Sequence, residues 1–289
     1  MILYKVQNLA HYEALLAGAR GAGTVSNCCL LPDEVGRLCQ GELLDYCLCE
    51  AGLLLWQTRG RDTRLMMVVD PGQRLDRRSV CYAGGRLPPL RGPVSCEWPT
   101  ARDTYPPPVE RLLARLEALG PVCATTARRM AFRPTAEQVA TIKAFAAPEP
   151  LTVAVAGPSQ ADEILTLWED TFDCVANQVP TRGELPGLLT QGQILYSWTD
   201  DGRLAGALMT EVTGTVGWVW HVVTAPFLRG QGIGRALMTA AHRLGLERGV
   251  TCFKLWVSDL DGDAEGFYRR LGYEPDGRTA RTIIFTETR

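Results

Sequence analysis

Val216-Gly217-Trp218-Val219-Trp220-His221-Val222-Val223-Thr224 runs through Ala225-Pro226 into Phe227-Leu228-Arg229-Gly230-Gln231-Gly232-Ile233-Gly234-Arg235. The first nine residues are apolar, β-branched or aromatic and read as a strand; the glycines read as a tight loop; the amphipathic stretch that follows, as far as Arg248, reads as a helix. On that helix Ile233, Ala236, Leu237, Ala240 and Leu244 share one face, Arg235, His242, Arg243 and Glu247 fall off it, and Gly249 supplies a left-handed stop. Glycines at a helix start have a physical use. Without Cβ atoms the backbone turns sharply and approaches a ligand closely, so free N–H groups and the positive end of the helix dipole point at an anion. A phosphate or pyrophosphate is the natural guest, and Arg229 and Arg235 add positive charge beside it.

Two other phosphate loops fail on spacing. Counting G-x-G-x-x-G from Gly230 puts the third position on Arg235, and counting from Gly232 puts it on Leu237, while no G-x-x-x-x-G-K-[ST] run exists. The pattern that fits is [QR]-x-x-G-x-[GA], through Arg229, Gly232 and Gly234, with Pro226 ahead of it. Downstream, Leu255-Trp256-Val257 reads as the next strand. Asp261, Ala264, Phe267, Tyr268, Gly272 and Tyr273 then follow N-x-x-A-x-x-[LF]-Y-x-x-x-G-[FY], with Asp261 in the place of Asn. In these residues, over 151–289, the chain resembles the GNAT superfamily of N-acetyltransferases.

The resemblance implies an α+β fold: a mixed, mostly antiparallel sheet flanked by helices. It implies acetyl-CoA as cosubstrate, with Arg229, Gly230, Gln231, Gly232, Ile233, Gly234 and Arg235 around the pyrophosphate and Asp261 also on the cofactor side. Pantetheine is expected between two splayed strands, paired with backbone groups of Val222, Val223 and Thr224, one of whose amides polarises the thioester carbonyl. Tyr268 matches the family's catalytic tyrosine, and a phenol with an ordinary pKa near 10 carries a proton to give to a leaving thiolate. A helical stripe of Ala264, Phe267, Tyr268 and Leu271 also suits an aromatic wall against the thiol.

The base is not marked by any motif. An amine of lysine type must lose a proton, and His221 is the histidine on the strand before the loop. Strict alternation puts Trp218, Trp220 and Val222 on one face and His221 on the other, where a histidine satisfied within the fold is the competing reading. Glu211 and Asp259 stand at strand ends as further candidates or as ordinary surface carboxylates, and Trp218 with Trp220 either line a cleft for an apolar or aromatic amine or belong to the core.

The composition is that of ordinary globular protein: 289 residues, 46% hydrophobic and 21% charged, with a net charge of −2. That charge gives no general attraction to nucleic acid or to an anionic membrane, so neither is an expected partner. With no signal segment and no membrane-length apolar run, the expected compartment is the cytoplasm. The ten cysteines lack C-x-x-C spacing and only three histidines exist, so buried free thiols are expected and no metal.

Two domains are expected, 1–148 and 149–289, divided at Ala146-Ala147-Pro148-Glu149-Pro150. Leu38, Gln40, Gly41, Leu43 and Leu44 match Leu189, Gln191, Gly192, Ile194 and Leu195 at one offset, and Val68-Val69-Asp70-Pro71 matches Val223-Thr224-Ala225-Pro226 after a short shift. The chain thus reads as tandem GNAT-like copies. The first is degenerate, because Gly72-Gln73-Arg74-Leu75-Asp76-Arg77-Arg78 has no G-x-G, and its arginines read as a solvated turn. The expected activity is acetyl transfer from acetyl-CoA to a small-molecule or peptide amine by residues 149–289. The alternative is a non-catalytic acyl-CoA sensor or interaction scaffold of the same fold.

Overall fold

Runs of alternating residues pair into sheets wherever one face can be buried, and the computed structural model describes residues 3–77, 80, 93–102, 104–147 and 151–286. By contacts the chain divides into two units, Met1–Ala127 with Thr279–Arg289, and Arg128–Arg278. This division follows packing, whereas the one drawn at residue 148 follows composition.

The first unit contains β1 (Tyr4–Lys5), α1 (Leu9–Ala19), β2 (Val25–Ser26), α2 (Pro32–Gln40), β3 (Leu44–Cys49), β4 (Gly52–Thr58), β5 (Thr63–Val69), β6 (Val94–Thr100), α3 (Pro107–Ala118) and the start of β7 (Cys123–Phe132). β1, β3, β4 and β5 pair antiparallel. β5 then runs parallel to β6 through only two pairs, Thr63–Val94 and Arg64–Ser95. The far edge of β6 takes Thr279–Phe285 from the end of the chain.

β4 covers one edge of β5 along its whole length, so β2, paired at Val25–Val69 and Ser26–Val68, occupies the edge that β6 leaves. Asn27, 5% exposed, ties the gap shut. Its Oδ1 accepts from Met67 N–H at 2.7 Å, and its Nδ2 donates to Glu97 O at 2.9 Å and Leu65 O at 3.3 Å.

The second unit continues with α4 (Ala136–Ala144), β8 (Thr152–Val155), α5 (Ala161–Thr171), α6 (Leu185–Thr190), β9 (Ile194–Trp198), β10 (Leu204–Thr213), β11 (Val216–Thr224), α7 (Ile233–Glu247), β12 (Cys252–Ser258), α8 (Ala264–Arg270) and β13 (Glu274–Phe285), whose last residues are those paired with β6. β8, β9, β10 and β11 are antiparallel, and β12 joins β11 parallel. Both faces of this sheet are covered. Ile233, Leu237 and Met238 of α7 pack on Leu208, Val219, Phe253, Leu255 and Val257. Ile164, Leu165 and Trp168 of α5, with Leu185 and Leu189 of α6, pack on Ile194, Ala207 and Val223. Each such side chain contributes roughly 1.5–3 kcal/mol on burial.

One plan is repeated in the two units. α2 leads into β3 as α6 leads into β9, where the matched Leu-x-Gln-Gly stretches lie. After β5 the Asp70 N–H donates to Ala51 O at 2.8 Å, and after β11 the Ala225 N–H donates to Ala205 O at 2.9 Å.

Several local readings are modified. Arg77 is not a solvated arginine, since it donates to Leu119 O, Gly120 O and Thr286 O; Arg78 lies outside the described residues. His242, placed off the helix face by periodicity, is buried, because the rings of Phe132, Phe253 and Tyr273 pack around it. Nine described cysteines are free thiols, of which Cys47, Cys96 and Cys252 are buried and Cys29 is exposed; Cys81 lies outside the described residues. Among the described residues no group of His, Cys, Asp or Glu is placed to hold a metal, and no helix is long and apolar enough to cross a membrane.

Candidate active site

The glycine loop folds as its letters require. Gly230 and Gly232 have φ of +81° and +83°, left-handed values that cost an L-residue about 1–2 kcal/mol. Gly232 is the N-cap of α7 and brings no capping side chain. The first accepted bond at this end is from Ala236 N–H to Gly232 O, 2.9 Å. Among the described residues no backbone carbonyl takes the amides of Gly230, Gln231, Gly232, Ile233, Gly234 or Arg235, as expected for the first turn of a helix. Arg229, Gly230, Gln231, Gly232 and Arg235 are exposed, Gly234 is half-buried and Ile233 is in the core. A row of free amides at the positive end of a 15-residue helix is therefore open to solvent, with two arginines beside it.

A second feature lies just before the loop. β11 and β12 pair only through Val216–Cys252, Gly217–Phe253 and Trp218–Lys254. Beyond Trp218 the two strands part, so the β12-facing edge of β11 from Val219 to Thr224 is left without a strand partner, although Val223 and Thr224 stay in register with Ala207 and Gly206 on the other side. Unpaired backbone inside a sheet demands a partner, and a peptide-like arm is one.

α8 closes this region. An ideal Cβ on Gly234 would lie 3.2 Å from Cζ of Phe267, so the missing side chain lets α8 come against the start of α7. Tyr268, 9% exposed, joins the buried cluster of Val219, Leu255 and Val257 from the parted strands. Burial first, and the nearby Asp261 carboxylate second, push its phenol pKa well above 10. Tyr268 therefore stays protonated throughout the neutral and moderately alkaline range. Asp261 accepts from Ser258 N–H at 2.9 Å and donates its own N–H to Ser258 O at 3.1 Å, so these contacts close the turn between β12 and α8. Burial, opposed by the Ser258 bond, raises its carboxyl pKa.

Residues 161–273, from the first residue of α5 to the end of the second signature, match the Acetyltransferase (GNAT) family. The chain carries a GNAT domain. A 102-residue stretch is 30% identical to the mouse thialysine N-epsilon-acetyltransferase; it is 35% of this chain and spans about half, 55%, of that protein. A GCN5-related N-acetyltransferase from Sphaerobacter thermophilus superposes with a TM-score of 0.57 at 17% identity, covering 98% of this chain and 94% of that one. A tandem GNAT protein from the clavulanic acid biosynthesis pathway gives 0.51 at 15% identity, over 83% of this chain and 80% of that one. At such identities the likeness speaks for the fold, which is the GNAT fold in tandem.

The GNAT domain also contains a feature that alternation could not reveal. Between Trp220 and Val223 the register against β10 slips, so that His221 and Val222 together face Leu208. His221 sits at the bulge with φ +51°, a left-handed value that histidine tolerates better than most residues. The bulge reverses the alternation. Val222 packs with Val219 on the α7 side, and His221 turns to the α5 side, 5.3 Å from the Trp168 ring and 5.8 Å from Phe172. The expectation that Val222 shares a face with Trp218 and Trp220, and His221 does not, is thus corrected.

His221 Nε2–H donates to Asn177 O at 2.8 Å, which leaves Nδ1 as a bare lone pair. Nδ1 is buried and has no partner among the described residues. Burial, outweighing the Asn177 bond, lowers the imidazole pKa, so the ring is neutral at pH 7. Trp168 Nε1 and Trp220 Nε1 are likewise buried and unpartnered. Glu211 and Asp259 are exposed at their strand ends.

His242 holds a different bond: its Nε2 meets the Tyr273 hydroxyl at 2.8 Å among Phe132 and Phe253. Burial drives its pKa down to about 3. It is a core histidine, neutral under all working conditions.

Proposed function

We propose that this chain is an acetyl-CoA-dependent N-acetyltransferase in which the unit Arg128–Arg278 binds the cosubstrate and carries out transfer to an amine. The observation that carries the reading is the pairing of two gaps in the hydrogen-bond ladder: the open amides of Gly230–Arg235 and the parted edges of β11 and β12. A ligand with a diphosphate at one end and an amide-bearing arm at the other satisfies both. Acetyl-CoA, when bound, supplies the activated acetyl thioester.

The chain's own residues have separable tasks. The amides of residues 230–235, with Arg229 and Arg235, hold negative charge, each charge-assisted bond contributing roughly 1.5–3 kcal/mol. Backbone groups of Val222, Val223 and Thr224 align the arm and polarise the carbonyl. Tyr268 gives a proton to the departing thiolate. Its raised pKa is no obstacle, because the same dry surroundings raise the thiol's pKa as well. His221 Nδ1 takes the proton of the incoming amine, for which a neutral ring with a free lone pair is the required state. Asp261 positions the turn that carries Tyr268. That a relative is named for acetylating thialysine supports an amine acceptor.

The decisive experiment follows free thiol released from acetyl-CoA in the presence of an amine panel, together with calorimetric binding of acetyl-CoA. Binding and amine-dependent thiol release are expected. Binding without release from any amine would instead support an acyl-CoA sensor, and no binding would remove both readings.

A further inference from the structure

Beyond the base, the α5 side of the sheet carries an aromatic wall. Trp218 and Trp220 stack at 5.6 Å and 18°. Phe253, Leu255 and Val257 of β12 face the α7 core, so Lys254 and Trp256 alternate onto the opposite face, that of the tryptophans. Two cations lie against this wall. Arg129, buried at 9% exposure, is 5.8 Å from the centroids of both Trp218 and Trp256, and it is neutralised by Asp276 through Nε at 2.7 Å and Nη2 at 2.5 Å.

Lys254 differs. Its Nζ lies 5.8 Å from the Trp218 centroid, the residue is half-buried, and no carboxylate among the described residues pairs with it. A half-buried lysine with no counter-ion among the described residues, on the same face as a base with a free lone pair, is half of an unfinished pair.

We infer that the acceptor amine also carries a carboxylate or similar acid group, which Lys254 receives while the intervening chain lies along Trp218 and Trp220. The inference rests on the acetyltransferase reading for the position of the reacting end. Lys254 is in register with Trp218, and His221 is three residues further along β11. At ~3.3 Å per residue the two ends of the slot are on the order of 10 Å apart, a span that suits ω-amino acids and side-chain amines of amino acids. Trp220 Nε1–H, buried and free, is a donor available to an oxygen on the way.

The test compares matched probes, 6-aminohexanoate against hexylamine and L-lysine against cadaverine, by thiol release and, independently of turnover, by quenching of tryptophan fluorescence in the presence of CoA. The wild type should favour the acid-bearing member of each pair by tenfold or more in kcat/KM and in binding. Lys254→Met should bring that ratio to within threefold of one, Lys254→Arg should keep it, and both should retain the wild-type Kd for acetyl-CoA. Equal handling of the paired probes by the wild type, or a ratio that survives in Lys254→Met, would overturn the inference. If selective binding holds but no probe is acetylated, the acid-binding slot stands and the acetyltransferase reading fails.

Discussion

Replacing Gln231 by Glu tests the phosphate loop with minimal disturbance. The side chain is exposed and sits between the two left-handed glycines, so no core contact is lost and no strained φ is forced on a new residue. A carboxylate about 6 Å from a bound diphosphate would meet each phosphate charge with roughly 0.7 kcal/mol of repulsion in bulk water and roughly 2.8 at an effective dielectric of 20. For two charges, with screening over a Debye length of about 8 Å at 0.15 M salt, the net penalty is about 1–3 kcal/mol. That corresponds to acetyl-CoA binding weakened by about 5- to 150-fold. Isothermal titration should show this loss, and raising the salt should shrink it. Gln231→Leu, which adds no charge, should lie much closer to the wild type. Acetyl-pantetheine, which lacks the diphosphate, should not be discriminated against by the Glu variant. A Gln231→Glu protein with a wild-type circular dichroism spectrum that binds acetyl-CoA within twofold of the parent at low salt would show that the diphosphate lies elsewhere.

The other expected outcomes concern catalysis, pH dependence and the first unit. Tyr268→Phe should lower kcat by about 10²-fold with little change in acetyl-CoA affinity; His221→Gln should also lower kcat and remove an acidic limb that the wild type shows only below pH 6.5, because burial depresses this pKa, and an unchanged kcat in either variant would remove that residue from the chemistry. His242 has a folded pKa of about 3 against an ordinary 6.5, so the unfolded chain binds the extra proton: stability from this group is complete above pH 6.5 and falls by about 1.4 kcal/mol per unit as pH drops towards 3. Melting temperatures from pH 7 to 5 should decline accordingly, less so in His242→Gln, and parallel curves for the two proteins would contradict this. Asn27→Ala strips partners from the buried Met67 N–H, Glu97 O and Leu65 O, a cost of about 3 kcal/mol. It should melt on the order of 10 °C lower. Because β2 and Asn27 fill the parting of β5 and β6, titration of the wild type should give one acetyl-CoA per chain, and two would refute that role.

Short-range pattern was enough for much of this molecule. The strand, loop and helix around Gly230–Gly234 appear where the letters put them, since left-handed turns need glycine and a helix announces itself by its own periodicity. The Thr135–Gln138 capping box is legible in the letters, because all its atoms lie within one turn. The β3, β4 and β5 strands and the β9–β10 hairpin coincide with apolar, strand-forming runs of the sequence. Less visible are β6, which lies in a stretch rich in proline and glycine, and β7, whose Arg128 and Arg129 interrupt the apolar pattern; Arg129 is accommodated only because Asp276, far along the chain, answers its charge.

The two letter patterns from Arg229 to Tyr273 were sufficient for the family, because glycines and a tyrosine at fixed spacing are constraints of local geometry. Folding in three dimensions added what depends on distant partners: where β12 leaves β11, the bulge that turns His221 towards α5, the carbonyl of Asn177 that sets its tautomer, and the segment 25–27 that fills the first unit's cleft. Register and bulges are agreements between strands far apart in sequence, and one slipped residue exchanges the two faces of a sheet.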